Sequence, residues 1–369
     1  MGMKFRELIL AHSSVRKHAN GYRNRKWFHY NRTNYMKYLF VFLDLAFIMF
    51  NTVSASTAVD ISPIVERIPN GVYIVTGIVN VAINDGPCSD FMINVPYPEP
   101  SQYQDIEWLE RPPMKLLKTY RESGDRRFFF TQRNCSKVPD IKRIFKVRFY
   151  KIKTDFSKIG KIHPYKTSSR LYKDNIRPKE VRENLKIPWI EQSVMSLKRE
   201  SAGNPLDYAR VAYAHVVTNF TYGRPVDGPE SDLYRTIRDK KGDCGLLSAV
   251  YVALMRAGGV PCRMTACLRP IKGQEYHCWS EFYLEGYGWI PVDVTFDLGS
   301  FPSYRHFGYY ADKTIVMTRG NNFEVTSAGG KRFPMSFCQG LCYWYWNYNG
   351  QRGRPEITNL FEGSKLDEQ

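Results

Sequence analysis

The chain lacks an apolar stretch long enough to serve as a comfortable membrane-spanning helix. Its run from Tyr38 to Phe50 covers 13 residues and is interrupted by Asp44, where a span needs about 20. It also lacks internal repeats and low-complexity tracts, which sets aside solenoids, propellers and fibrous arrays. No two cysteines have zinc-knuckle spacing. Cys338-Gln-Gly-Leu-Cys342 comes nearest, but no second Cys/His pair stands at ligand spacing, so no metal site is expected. Acidic residues are scarce beside basic ones, 36 against 53, for a net charge of +17. Much of that excess is local: residues 1–58 hold nine Lys/Arg against Glu7 and Asp44, and without them the balance is +10. Charge of this kind favours an anionic envelope surface and names no partner. Specific nucleic-acid binding is not expected.

What is present suffices for ordinary folded domains. At 369 residues, with 43% apolar and 15% aromatic side chains, the chain has room for two domains and a targeting segment. The short apolar run is followed at once by small residues, Ser54-Ala-Ser-Thr-Ala58, the pattern of a signal-peptidase site. Residues 1–58 therefore read as a signal or targeting segment, with Met36 as a natural start, cleaved near Ala58. Export to the periplasm or cell envelope of a bacterium is the expectation. Eight cysteines fit an exported protein without demanding a disulfide framework.

Residues 64–165 read as a β-rich, sandwich-like domain. Val75, Val79, Val81 and Ile83 share one face of an alternating run, and Phe145, Val147 and Phe149 alternate with Lys146 and Arg148. The basic positions from Lys142 to Lys166 are what a solvated strand face produces, and also what an anionic polymer would bind. Residues 170–346 read as an α+β domain and 347–369 as a polar tail. A helical stripe runs through Ala209, Ala212, Tyr213, Val216, Val217 and Phe220. A second passes through Leu247, Val250, Tyr251, Leu254 and Ala257, with Asp243 as N-cap and Gly258 and Pro261 as its stop. Strands are expected over 262–268, 276–284 and 289–295, the last two joined by a hairpin at Glu285-Gly-Tyr-Gly288.

Cys244 opens the second helix, where unpaired amides favour thiolate over thiol. A thiolate is the nucleophile of acyl transfer. It requires an imidazole to manage the proton and a carboxylate to fix the ring's tautomer. His277 and Asp293 lie on the two strands of the hairpin with the same parity, so they can share a face. Asp297 is a rival carboxylate. Tyr222 and Tyr234 are candidates for a second oxyanion donor beside the Cys244 amide. Glu281 and Arg263 are a candidate ion pair, and Trp279 and Trp289 are expected to pack around the site.

Gly242-Asp-Cys-Gly, His277-Cys-Trp-Ser-Glu281 and Gly288-Trp-Ile-Pro-Val-Asp-Val-Thr295 occur in order. Together they resemble the Cys, His-x-Trp-x-Glu and Gly-Trp-x-x-x-Asp-x-Thr motifs of the transglutaminase-like superfamily, over about residues 205–320. The resemblance implies an α+β, papain-like core and a catalytic triad of Cys244, His277 and Asp293. It also implies a cysteine enzyme that acts on protein or peptide amides through a thioester, with no cofactor. Hydrolysis is the expected outcome. The alternatives are protein-glutamine acyl transfer and a non-catalytic envelope binding module that retains the fold. No Asp/Asn-rich loop of EF-hand type is present, so the calcium dependence of animal transglutaminases is not carried over. The arylamine N-acetyltransferase motif is not matched at Gly242–Ser248.

Overall fold

The computed structural model describes residues 61–119, 125–177, 187–228, 231–270, 275–299, 304–320, 323–335, 338–348 and 353–366. The targeting segment expected over 1–58 lies outside them. The first part of the chain forms strands β1 (Val65–Asn84), β2 (Cys88–Tyr97), β3 (Gln104–Glu110), β4 (Leu117–Thr119), β5 (Arg126–Cys135) and β6 (Ile141–Thr154). Helices α1 (Arg170–Ile176), α2 (Pro188–Glu200) and α3 (Pro205–Asn219) follow. The short strand β7 (Thr221–Tyr222), helix α4 (Asp232–Asp239) and strand β8 (Lys241–Gly242) then lead into helix α5 (Cys244–Gly258). Strands β9 (Cys262–Leu268), β10 (Tyr276–Leu284), β11 (Gly288–Val292), β12 (Tyr309–Tyr310) and β13 (Ile315–Arg319) come next. The chain ends with β14 (Phe323–Thr326), β15 (Arg332–Met335), β16 (Cys342–Trp346) and β17 (Arg354–Leu366).

The β-rich part is two antiparallel sheets face to face. One runs β12-β6-β1-β17 with β3 also paired to β6, and the other runs β16-β2-β5-β4. Val79 and Ile141 from the first sheet pack with Phe91, Ile93, Val95 and Phe128 from the second. This is the inward half of a period-2 pattern. Phe145, Val147 and Phe149 are buried as their alternation predicts.

The C-terminal reading needs correcting. The segment expected as a polar tail supplies β17, which pairs with β1 from Val72↔Leu366 to Asn84↔Arg354. Tyr343-Trp-Tyr-Trp346 pairs with β2, so the aromatic stretch belongs to the sandwich. As far as they are described, the residues after 60 belong to one compact unit, with β16 and β17 returning to the first two sheets from the far end of the chain.

The second layer is a four-stranded sheet, β11-β10-β9-β13, covered by helices. Eleven of the 15 residues of α5 are buried, which makes it the central helix. It packs on β9 and β10 on one side and on α2, α3 and α4 on the other. The Asp243 side chain caps it, accepting from the Leu246 amide at 2.9 Å. Two glycines end it for different reasons. A Cβ on Gly258 would stand 2.2 Å from the Tyr208 ring, while Gly259 takes the left-handed cap at φ +94°.

Candidate active site

The helix start places Cys244 at the edge of the cleft. Just before it, β8 pairs in parallel with β7, Tyr222 opposite Gly242. That short pairing carries Tyr222 to the thiol, with its hydroxyl beside the Cys244 backbone N–H and sulfur. Tyr222 is 61% exposed. Tyr234, the other candidate, lies on α4 away from the pocket walls.

The hairpin β10–β11 is paired as far as Ser280↔Val292, so the strand expected over 289–295 ends at Val292; Asp293 follows it directly, and the same register continued would set it opposite Trp279, with His277 one step diagonal to the carboxylate. That diagonal is within side-chain reach. His277 Nε2 lies 2.6 Å from Asp293 Oδ2. Asp293 is fully buried. Its second oxygen accepts from the Thr295 amide at 3.0 Å and the Thr295 hydroxyl at 2.6 Å, and its own amide donates to the His306 carbonyl. With Nε2 engaged by Asp293, the other ring nitrogen, Nδ1, is the one in contact with Cys244. The structure thus brings Cys244, His277 and Asp293 into one line.

Electrostatics sort the protons. The Cys244 thiol falls to about 5. The first cause is the neighbouring Cys278 thiol, which hydrogen-bonds to it; burial pushes the other way, and the hydrogen bond and positive charge of His277 add to the lowering. Burial opposes charge on His277, yet the Asp293 carboxylate and the contact with Cys244 lift it to about 10. Both shifts favour thiolate and imidazolium over thiol and neutral imidazole in the neutral range. Cys278 moves oppositely: its hydrogen bond to Cys244 and its complete burial raise it well above the usual thiol range. Cys278 keeps its proton.

Further groups hold this line in place. Gln339 Nε2 donates to the His277 carbonyl at 2.8 Å and approaches Cys278 Sγ at 3.2 Å. Behind His277, fully buried Trp279 stacks on Tyr310 with centroids 4.0 Å apart. Glu281 is buried and accepts from Arg263 Nε at 2.7 Å and the Tyr103 hydroxyl at 2.7 Å. Arg319 lies 3.4 Å away, so the candidate ion pair is real and has a third member. Burial raises the Glu281 carboxyl, and the two guanidiniums outweigh it, leaving it below the usual range. Asp297 does not face His277. It accepts from His306 Nδ1 at 2.8 Å and from the Tyr213 hydroxyl.

A pocket of about 240 Å³ opens on the site, lined by Tyr222, Arg269, Glu275, Tyr276, His277, Thr295 and Phe296. The sequence reading assigned no role to Cys278, Gln339 or Thr295. Cys278 and Thr295 sit inside the quoted motifs. Gln339 is 62 residues from His277 and carries no local signal.

Comparison with known proteins bears on the fold around this site. Residues 195–294 match the transglutaminase-like superfamily. An uncharacterized protein of Haemophilus influenzae is 30% identical over 117 residues, covering 24% of this chain and 31% of the relative; the similarity thus spans about a third of that protein. The crystal structure of a candidate cysteine protease from Cytophaga hutchinsonii superposes with a TM-score of 0.50 at 13% identity. It covers 83% of this chain and 94% of its own, and at that identity the likeness is one of fold. Residues 195–294 are a transglutaminase-like superfamily core, and the chain around them is mixed α+β.

Proposed function

We propose that the protein is a cysteine enzyme that hydrolyses protein or peptide amides, with Cys244 as nucleophile, His277 as acid and base, and Asp293 as the carboxylate that orients the imidazole. The observation that carries this reading is the placement of the His277 ring between the Cys244 thiol at the helix start and the buried Asp293 carboxylate, 2.6 Å from Nε2; the lowered thiol and raised imidazole accord with it. The thiolate adds to the carbonyl carbon, forming a C–S bond and an oxyanion. The oxyanion takes the Cys244 N–H from Tyr222, whose freed hydroxyl turns to donate to it, and the exposure of Tyr222 permits that motion. Nδ1 protonates the leaving amine as the C–N bond breaks, which leaves a thioester and neutral imidazole. His277 then takes a proton from water, whose oxygen adds to the thioester, and the thiolate departs.

Water is favoured as acceptor because the thioester would form beside an exposed tyrosine in an open pocket, where water at ~55 M outcompetes an amine unless it is excluded. Mass spectrometry of a glutamine-containing peptide, incubated with enzyme with and without an added primary amine, tests this. Free acid, or peptide cleavage, is the expected product. Amine adducts formed in preference to acid would transfer the assignment to acyl transfer, and no thioester on Cys244 in either arm would end it. We also propose export across a bacterial cytoplasmic membrane, which rests on the apolar run and small residues before Val59. N-terminal sequencing of protein from its host is expected to begin near Val59; a mature chain that retains Phe40 would refute cleavage.

A further inference from the structure

The lysines of β6 fall into two groups. Lys142 and Lys146 reach Glu110 and Glu107 of β3 at 2.8 and 3.5 Å, so these two are neutralised. Pairing with β3 stops at Gln104↔Phe149. Beyond it, β6 is flanked instead by Tyr309 and Tyr310 of β12, which bring no carboxylate. Ile152 and Thr154 are the buried positions here, so Lys151 and Lys153 share the outward face. They line a groove of about 860 Å³ with Arg210 and Arg305, between walls made by Phe156, Tyr304 and Phe307. Among the described residues, the side chains of Lys151, Lys153 and Arg305 enter no ion pair. Arg210 pairs with Asp207 at 3.5 Å, and Glu66 stands opposite Lys153 across the β1–β6 ladder. Four cations against two carboxylates leave the groove at +2.

The walls offer little for bases to stack on. Phe156 and Phe307 are stacked on each other at 5.4 Å, Arg210 lies over Phe156, and Phe282 is stacked on Phe307 at 5.6 Å. Tyr304 is stacked on Tyr213 at 5.9 Å and keeps 42% of its surface exposed, which is a short platform for a run of successive bases. What remains is cationic heads above apolar ring edges, which suits carboxylates on short aliphatic stems. Lys151 and Lys153, two residues apart on a strand, repeat at about 7 Å, the spacing of same-side residues in an extended peptide. The groove also adjoins the active site. Ring contacts lead from His277 to Phe296 at 5.2 Å, on to His306 at 5.0 Å, and to Tyr309 on the groove rim at 6.3 Å. An extended peptide of about six residues covers that distance at ~3.3 Å per residue.

We propose that this groove is an exosite for an acidic stretch of the polypeptide whose amide Cys244 attacks. The choice of a polypeptide substrate rests on the function proposed above; the affinity of the groove for carboxylates does not. Binding of fluorescein-labelled hexaglutamate to full-length Cys244→Ala protein, followed by anisotropy at fixed salt, tests that affinity without catalysis. Adding Lys151→Ala, Lys153→Ala and Arg305→Ala is expected to weaken binding about tenfold or more. A control that removes the same charge elsewhere, Lys137→Ala, Lys198→Ala and Lys365→Ala, should leave it within about threefold. Equal losses in the two triples would overturn the proposal, because net charge would then suffice. So would a hexathymidylate probe that binds as tightly and is lost in the same variant. On the active enzyme, extending a cleavable peptide with four glutamates should lower KM at unchanged kcat, and the groove triple should abolish that gain. If neither peptide turns over, the amide chemistry fails while the hexaglutamate arm still decides the groove.

Discussion

Two carboxylate–histidine pairs flank Phe296, and they have different work to do. Asp293 holds His277, and Asp297 holds His306, at 2.6 and 2.8 Å. The ring of Phe296 lies 5.2 Å from one imidazole and 5.0 Å from the other. Yet only His277 has a thiol on its remaining nitrogen, and only its carboxylate is held by a hydroxyl and an amide from Thr295. Asp297 instead accepts from the Tyr213 hydroxyl and from the His306 backbone as well as its ring, which ties Asp297 and His306 to α3. A buried Asp–His pair is therefore no signature of chemistry by itself. What the imidazole faces on its other side decides its use.

The comparison breaks most sharply at the pair's outer partner. Cys244→Ala or His277→Ala is expected to remove turnover altogether, a loss of the order of 10⁶ if the three residues act as one unit. Turnover at the wild-type rate by a folded Cys244→Ala protein would show that Cys244 is not the nucleophile. Replacing the carboxylates separates the two pairs. Asp293→Asn should cost about 10⁴ in kcat through the wrong imidazole tautomer. Asp297→Asn should keep kcat per folded molecule and lower the melting temperature, because it disturbs a buried acceptor for three donors, at a cost of about 2 kcal/mol. If the two variants lose activity equally, the distinction drawn here between the pairs is wrong.

Tyr222→Phe sharpens the account of the oxyanion. Deleting one donor of this kind typically costs about 10²–10³ in kcat. KM should change little, since the hydroxyl meets the Cys244 amide in the resting site and the substrate oxygen only after attack. Tyr234→Phe, made alongside, should leave both constants within about twofold, as its ring lines no wall of the pocket. A loss for Tyr234→Phe as large as that for Tyr222→Phe would reverse the choice between them.

Much of this was legible in the sequence, for identifiable reasons. The Cys244 helix announces itself by its cap, its periodicity and its terminal glycines, each a local signal. The parity of His277 and Asp293 follows from the period of a strand, and the tight turn between them limits the register to the diagonal observed. Tyr222 could not be chosen over Tyr234, because the two-residue parallel pairing of β7 with β8 joins segments 20 residues apart with no hydrophobic pattern to mark it. The last strand was misread for a related reason. Among Arg354–Leu366 only Phe361 is buried, so β17 is held chiefly by its ladder with β1 and reads as polar. The alternation of Lys and apolar residues in β6 showed a strand, but which lysines would meet a carboxylate depended on where β3 ends.

The smallest expected effect concerns Cys278, and it distinguishes the contributions that hold the Cys244 proton off. The thiol of Cys244 is lowered to about 5 and the imidazole of His277 raised to about 10. A depressed acid keeps its charged form down to its own folded value, so the thiolate should persist as pH falls and be lost only on passing through about 5. A raised base keeps its proton up to its folded value, so the imidazolium should be lost near 10. The rate of alkylation of Cys244 by iodoacetamide should therefore be flat through neutrality with an acid limb near 5. Cys278→Ala removes the neighbouring thiol that contributes most to the lowering, and leaves His277 and the helix amides in place. A hydrogen bond to a charged group is worth about 1.5–3 kcal/mol, and about 1.4 kcal/mol corresponds to one unit. The acid limb should thus move up by about one unit or more, slowing alkylation about fivefold or more at pH 5 while leaving it nearly unchanged at pH 8. Peptide mapping must place the label on Cys244 in both proteins. If the limb does not move, the imidazolium and the helix terminus suffice to hold the thiolate, and Cys278 is packing alone. Should the label fall on Cys278 in the parent protein, the assignment of which thiol keeps its proton is inverted, and with it the identity of the nucleophile.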